Sequence, residues 1–425
     1  MKYNRFFAKI SFPLLVCAGW MLASCAKGPE LRVSTNYMVI DSFPDSLFID
    51  ISANVRWTVT IKQTDNWLRV TPMEGKGNQT ITVIVSENEK WTERTASIAI
   101  SGEEVPADTI RIVQTAAFDV AEAIVDENFR TYCLGEFDKS PKDGKLSLKE
   151  AKGVDKISAR GLNISSLAGI EYFTGLLDLD CSGNNIKSIN LNKNKEIRKL
   201  DCSNNPIDQM DVSALAKLTV LYIVDAKLQN IDVSANTELE ILNISNNQIS
   251  SLDVSNNPKL GELSCNVNNL SSLDLKKNTI LAILYCTDNK LNSLDVSSNK
   301  KLERLWCNNN LLSNLDVTSN TALQILSCSK NSIKSLNLNN NTALIQLLCE
   351  SCQLDKLDVS KNLNLTDLRC TSNRLAGYID VRNNKLLKYL YLQNNPLLTE
   401  IWVWQGFNTT NANYQKDATA NYVFY

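Results

Sequence analysis

Two residue types recur at a spacing that could do chemistry. Cysteine ends a Leu-x-Cys unit at Cys181, Cys202, Cys265, Cys286, Cys307, Cys328, Cys349 and Cys370, with steps of 21 residues or multiples of it. A column of thiols in an oxidising compartment could crosslink. Aspartate recurs in the same period at Asp211, Asp232, Asp253, Asp274, Asp295, Asp316, Asp358 and Asp380, while Asn190 and Asn337 fill two further slots. Stacked carboxylates repel unless they bind a row of calcium ions or accept hydrogen bonds from turn amides. The free exchange with asparagine and the scarcity of other charged oxygens favour the amides. Histidine is absent from the chain, which removes Ser-His-Asp and Cys-His nucleophiles, imidazole bases and the commonest transition-metal ligand. Hydrolysis by a carboxylate pair needs two acids in divergent environments, and a regular ladder does not supply them. No enzymatic activity, cofactor or metal site is expected.

The elements that position these residues follow from the period. Ile223 and Ile244 take the cysteine slot in two units, so the slot asks for a medium apolar side chain and not for sulfur. A fixed period of this length denotes a solenoid, each unit one coil. Coils stacked at the ~4.8 Å strand spacing keep Cβ atoms slightly beyond the roughly 3.5–4.5 Å that a disulfide requires. The cysteines are therefore expected as free, buried thiols acting as small hydrophobes. Three residues after the slot stands Asn184, Asn205, Asn247, Asn268, Asn289, Asn310, Asn331, Asn373 or Asn395, whose amide can satisfy backbone groups freed where the strand turns. Ala226 and Cys352 are the exceptions.

The unit Leu-x-Cys-Ser-x-Asn-x-Leu-x-x-Leu-Asp-Val-Ser-x-Asn resembles the leucine-rich-repeat family over residues 157–404, and internalin-like proteins in particular. The resemblance implies about twelve coils of 21–22 residues, and a concave face formed by strand residues on either side of the inward leucine. The early coils place Asp178, Asp180, Lys199 and Asp201 there, the later ones Ile283, Tyr285, Arg304, Trp306, Gln346, Leu348, Arg369, Tyr389 and Tyr391. Tyrosine, tryptophan and arginine in one patch are the composition of interface hot spots, although single exposed apolar residues are common. Trp402 and Trp404 are expected to close the last coil, with residues 405–425 as a C-terminal cap.

Upstream of the repeat, Lys2, Arg5 and Lys9 precede an apolar run that ends in Leu22-Ala23-Ser24-Cys25. This is the layout of a secretory signal over residues 1–24, and its end resembles the lipobox of bacterial lipoproteins, which implies lipidation of Cys25. Residues 25–30 read as a tether. From residue 31 to 117, short runs with alternating apolar residues, such as Ile81, Val83 and Val85, predict a β-sandwich. Trp57-Thr58-Val59, Asp65-Asn66-Trp67-Leu68, Pro72 ahead of Gly75, Arg94 to Ile98, and Val113-Gln114-Thr115 resemble the BACON domain of Bacteroidetes proteins, which implies an immunoglobulin-like fold and a glycan-related setting. Trp57 and Trp67 are equally well read as core aromatics. Residues 118–156 form a connecting segment, with helical spacing over Ala121 to Phe137. Its Asp138 to Glu150 stretch resembles an EF-hand loop, but Lys139 falls on the first ligand position and Pro141 replaces an oxygen ligand. It is read as a helical cap with a degenerate loop.

The expected fold class is mostly β, an immunoglobulin-like sandwich followed by a leucine-rich-repeat solenoid. With 44 basic and 46 acidic residues interspersed, the chain has no broad field for nucleic acid, and membrane contact is expected only through the lipid anchor. The expected molecule is a monomeric envelope lipoprotein at the outer-membrane surface that binds a protein ligand, host-derived ligands included. Capture of mucin or another glycan through the sandwich is the alternative.

Overall fold

The computed structural model describes residues 27–139 and 142–425; the expected signal and Cys25 lie outside the described residues. The chain divides into two compact units, one ending at Ala117 and the other running from Phe118 to Tyr425. Among the described residues, no helix is long and apolar enough to cross a membrane.

The first unit is a sandwich of two sheets. One is four-stranded in the order Leu31–Val33, Asp45–Ala53, Gln79–Val85, Leu68–Thr71; the other is five-stranded in the order Tyr37–Ile40, Val105–Gln114, Arg94–Gly102, Arg56–Lys62, Glu74–Lys76. Period-two alternation turns Ile49, Ile51, Ile81, Val83, Ile98, Ile100, Ile110 and Ile112 into a shared core. Trp57 and Trp67 are both buried there. The Trp57 ring lies over Gly75, where an added Cβ would fall 2.3 Å from it, and its Nε1 donates to the Gly77 carbonyl at 2.9 Å.

The second unit opens with three short helices. The expected single helix is broken into α1 (Val120–Ala123) and α2 (Glu127–Phe137) because Asp126 caps the second, accepting from the Phe129 N–H. α3 (Leu148–Gly153) starts on a capping box between Ser147 and Glu150. Ile124, Phe129 and Cys133 from this segment seal the first coil.

From Lys156–Ser158 to Tyr414–Gln415 the coils contribute thirteen strands to one all-parallel sheet, paired in register with each central leucine beside the next. The ladder thus runs one strand beyond the last Leu-x-Leu unit, into residues 405–425. A second, three-stranded parallel sheet joins Gly377–Asp380, Leu398–Val403 and Asn421–Phe424 at the C-terminal coils.

The coils are held together by buried side-chain amides. Asn289 Nδ2 donates to the carbonyls of Cys286 in its own coil and Cys265 in the previous one, at 3.2 and 2.9 Å, while its Oδ1 accepts from Leu270 N–H at 3.0 Å. The same pattern recurs at Asn205, Asn247, Asn268, Asn310, Asn331 and Asn373. At Cys352 the thiol takes the asparagine's place and donates to the Cys328 carbonyl. A second ladder, Asn194, Asn236, Asn257, Asn278, Asn299, Asn320, Asn341, Asn362 and Asn384, is wholly buried. Its Nδ2 groups reach back to two carbonyls of earlier coils, as Asn299 does to Leu275 and Asn278.

Two residues after the cysteine slot the backbone enters the left-handed region in coil after coil. Asn204, Asp225, Asn246, Asp288, Asn309 and Asn394 accept this readily, whereas Val267 holds φ 53° there. Its branched Cβ makes that conformation costly.

Two stability changes are expected in urea unfolding of the full chain. Val267→Asn should raise the midpoint, a gain of about 1 kcal/mol. Asn289→Ala leaves three buried backbone groups unpaired and should cost about 2–3 kcal/mol; an unchanged midpoint would remove the amide ladder as the element that holds the coils in register.

Candidate functional site

Neither chemical ladder is a reactive site. All ten described cysteines are free and buried, as the strand spacing predicts. Burial pushes the Cys265 thiol up to about 12 and raises Cys202, Cys286 and Cys307 as well, so these thiols are protonated and shielded. The aspartates take the hydrogen-bonded alternative within their own coil: Asp211, Asp232, Asp253 and Asp295 accept from the N–H two residues on at 2.9–3.0 Å. The hydroxyls and N–H groups of Ser213, Ser234, Ser255 and Ser297 hold these carboxyls below the usual range.

In the 138–150 loop, both oxygens of buried Asp138 accept backbone N–H bonds, from Asp143 at 3.2 Å and Gly144 at 2.8 Å. Glu150 accepts from Lys139 and Ser147 N–H. The carboxylates thus organise the loop through its own backbone. Among the described residues, no group of three or more Cys, Asp or Glu is placed to hold a metal.

Strand geometry points the outward residues of the long sheet to one side in two rows. One row carries Ile283, Arg304, Gln346 and Tyr389, with Ile325 and Asp367 between them; the other carries Tyr285, Trp306, Leu348, Arg369 and Tyr391, with Ser327 between Trp306 and Leu348. All nine predicted residues therefore share a face, as two groups separated by Ile325 and Ser327. Tyr285 and Trp306 are stacked, centroids 4.6 Å apart at 29°. Arg369 lies 5.3 Å from the Tyr391 ring centroid while pairing with Asp367 at 3.0 Å. Asp367, almost buried, was not among the predicted residues; its position in the same row as Gln346 was the available signal. These side chains are half exposed and braced against one another, which lowers the ordering cost of a contact.

The tryptophans at the end of the solenoid separate. Trp404 packs edge-on against Phe407, which stacks on Tyr414, and this cluster closes the core as expected. Trp402 instead lies on the second sheet, stacked at 3.8 Å on Tyr378, with Arg382 at 5.0 Å from its ring. Period two decides this: Ile401 and Val403 point inward, so Trp402 between them points out.

Residues 45–117 match the family described as the viral BACON domain, BACON_2. Among solved structures the chain is similar to the functional domain of InlJ from Listeria monocytogenes, described as including a cysteine ladder, with 28% identity over 70% of this chain and 80% of that one, TM-score 0.50. An internalin, inlF, from L. monocytogenes str. 4b F2365 aligns at 21% identity over 72% of this chain and 98% of its own, TM-score 0.62. The leucine-rich-repeat domain of APL1B aligns at 18% identity over 65% and 96%, TM-score 0.50. No curated protein matches the chain. The second unit is thus a leucine-rich-repeat solenoid with internalin neighbours, and the first carries a BACON domain.

Two measurements follow. Mass-spectrometric mapping after iodoacetamide treatment should find the ten described cysteines unmodified in the native protein and modified in guanidinium. The lowered aspartate pKa values contribute stability that is present above the unfolded carboxylate range and lost as pH falls through the folded values. The melting temperature should therefore fall below about pH 4, and less steeply in Asp232→Asn/Asp253→Asn.

Proposed function

We propose that the chain is a cell-envelope lipoprotein, anchored through Cys25, whose solenoid binds a protein partner through the outward face of its long sheet. The observation that carries this reading is the braced row of Tyr285, Trp306, Arg369 and Tyr391, rigid aromatic and arginine side chains half open to solvent on one face. Such anchors bury large area at little entropic cost. The internalin-like solenoid supports an interaction scaffold or adhesin, and buried thiols together with hydrogen-bonded aspartates support a non-enzymatic role.

A second reading gives glycan capture to the BACON domain. It is favoured by that family match and by exposed Tyr37 and Phe48, 54% and 68% accessible on the sandwich surface; Trp57 and Trp67 are too buried to stack on a sugar.

The readings separate in one assay. Full-length protein is offered host mucosal extract and a glycan array beside Tyr285→Ala/Trp306→Ala. Protein capture weakened at least about tenfold in the variant fits the solenoid face. Glycan signal kept in the variant and reproduced by residues 31–117 assigns binding to the BACON domain. The anchor is tested separately: Cys25→Ser should abolish palmitate labelling in the native host and release the protein from the membrane fraction.

A further inference from the structure

The flank of the strand face carries a hollow whose origin is a missing side chain. Just before each strand, one residue accepts N–H bonds from the next coil: Glu240 from Gly261 and Glu262, Gly261 from Ala282 and Ile283, Ala282 from Glu303 and Arg304. Glutamate, glutamine or isoleucine fills this slot at Glu240, Glu303, Gln324 and Ile345, so at Gly261 the row is interrupted. The backbone does not demand glycine there. Its φ is outside the left-handed region, and a Cβ would meet nothing nearer than the Glu240 carbonyl oxygen, at 3.8 Å.

The gap is lined by Ile241, Ile280 and Ile283, with Glu262 between Ile241 and Ile283 across neighbouring strands and Glu240 one coil back in the row of Gly261. Ile280 is 39% exposed, an apolar wall open to water. Lys259 also reaches the rim, but its ammonium is held by Glu238 of the preceding coil at 2.6 Å. Glu240 and Glu262 have no ion pair among the described residues. Arg304, the nearest cation on the strand face, stands beyond Ile283, on the next strand. The hollow is a shallow, open depression that sets three isoleucines beside two carboxylates without an ion pair among the described residues.

We infer that this hollow receives a lysine or arginine side chain of the protein partner, its methylene stem on the three isoleucines and its cationic head between Glu240 and Glu262. Long basic side chains divide in this way, apolar along the stem and charged at the tip, and an acidic rim selects them over aliphatic residues. The inference rests on the protein-binding reading above and extends it, because Ile283 belongs to both the hollow and the Tyr285 and Trp306 group. A partner seated on the stacked rings would lay a neighbouring residue over Gly261.

The test uses peptides chosen by the protein itself. Phage-displayed random twelve-residue peptides are selected on the full chain, and each binder is measured against Gly261→Gln, Glu240→Gln/Glu262→Gln and Tyr285→Ala/Trp306→Ala. Glutamine already occupies the slot at Gln324, so Gly261→Gln fills the hollow with a residue the fold accepts; equal melting temperatures verify this. The expected result is a fixed Lys or Arg in the enriched sequences, with affinity falling about tenfold or more in Gly261→Gln, in the paired glutamine variant, and when that basic residue is replaced by norleucine. Binders lost in Tyr285→Ala/Trp306→Ala but indifferent to Gly261→Gln would overturn the hollow and leave the protein-binding face standing. Binders indifferent to both sets, or no enrichment at all, would overturn both.

Discussion

A solenoid has to satisfy the polar backbone of every turn inside a column that water does not enter, and here buried asparagine amides do it. Each Asn of the first ladder supplies donors to two carbonyls and an acceptor to one or two N–H groups, across separations that repeat from coil to coil to within a residue or two. Each contributes on the order of 1 kcal/mol per hydrogen bond, and more if a partner were left unmade. Because the bonds join consecutive coils, their sum fixes the register of the entire sheet rather than any single turn. The leucines fill the column, but leucine packing alone would tolerate a slip that the amides forbid.

That constraint divides the coil between slots that cannot vary and slots that can. Inward positions are mostly Leu, Ile, Val or Cys, and the left-handed turn positions are mostly Asn, Asp or another polar residue, with Val267 the exception. The residues on either side of the inward leucine, and the one before them, are free of both demands, as are the exposed turn positions elsewhere in the coil. On the strand face the scaffold holds varied side chains against one another, as with Tyr285 on Trp306 or Arg369 between Asp367 and Tyr391, so any contact made there would lose little entropy.

How much could be read from the sequence follows the same division. The Leu-x-Cys period, the in-register thiols, the Asn184 to Asn395 ladder and the shared face of all nine outward residues were legible because each repeats and each obeys a period-two strand. The Asn194 to Asn384 ladder repeats just as regularly, yet its role was hidden: its amides reach carbonyls 21 and 24 residues back, a connection only the stacked coils create. The break between α1 and α2 turned on one capping aspartate inside an otherwise helical spacing. The last strand, Tyr414–Gln415, lacks the motif altogether and is added by packing against its neighbour, Tyr389–Tyr391. Gly261 was invisible for a different reason, since an absent side chain carries no signal until the row it interrupts is assembled.

One coil departs from the repeat twice. Gly261 opens its leading edge, and six residues later Val267 holds a left-handed backbone with its side chain 46% exposed. Asparagine or aspartate stands at Val267's position in both adjacent coils, Asn246 and Asp288, and the slot of Gly261 is occupied by larger residues in every other coil but that of Ala282. A repeat built for register has no structural use for either exception, because one leaves a hole and the other stores strain. A local rule broken without a gain in packing marks a candidate functional position, and these two sit on the coil whose strand pairs with Ile283–Tyr285. If the hollow proposed above receives a partner's side chain, the coil from Gly261 to Val267 departs from the repeat where a binding surface would, at positions the register of the thirteen strands does not use.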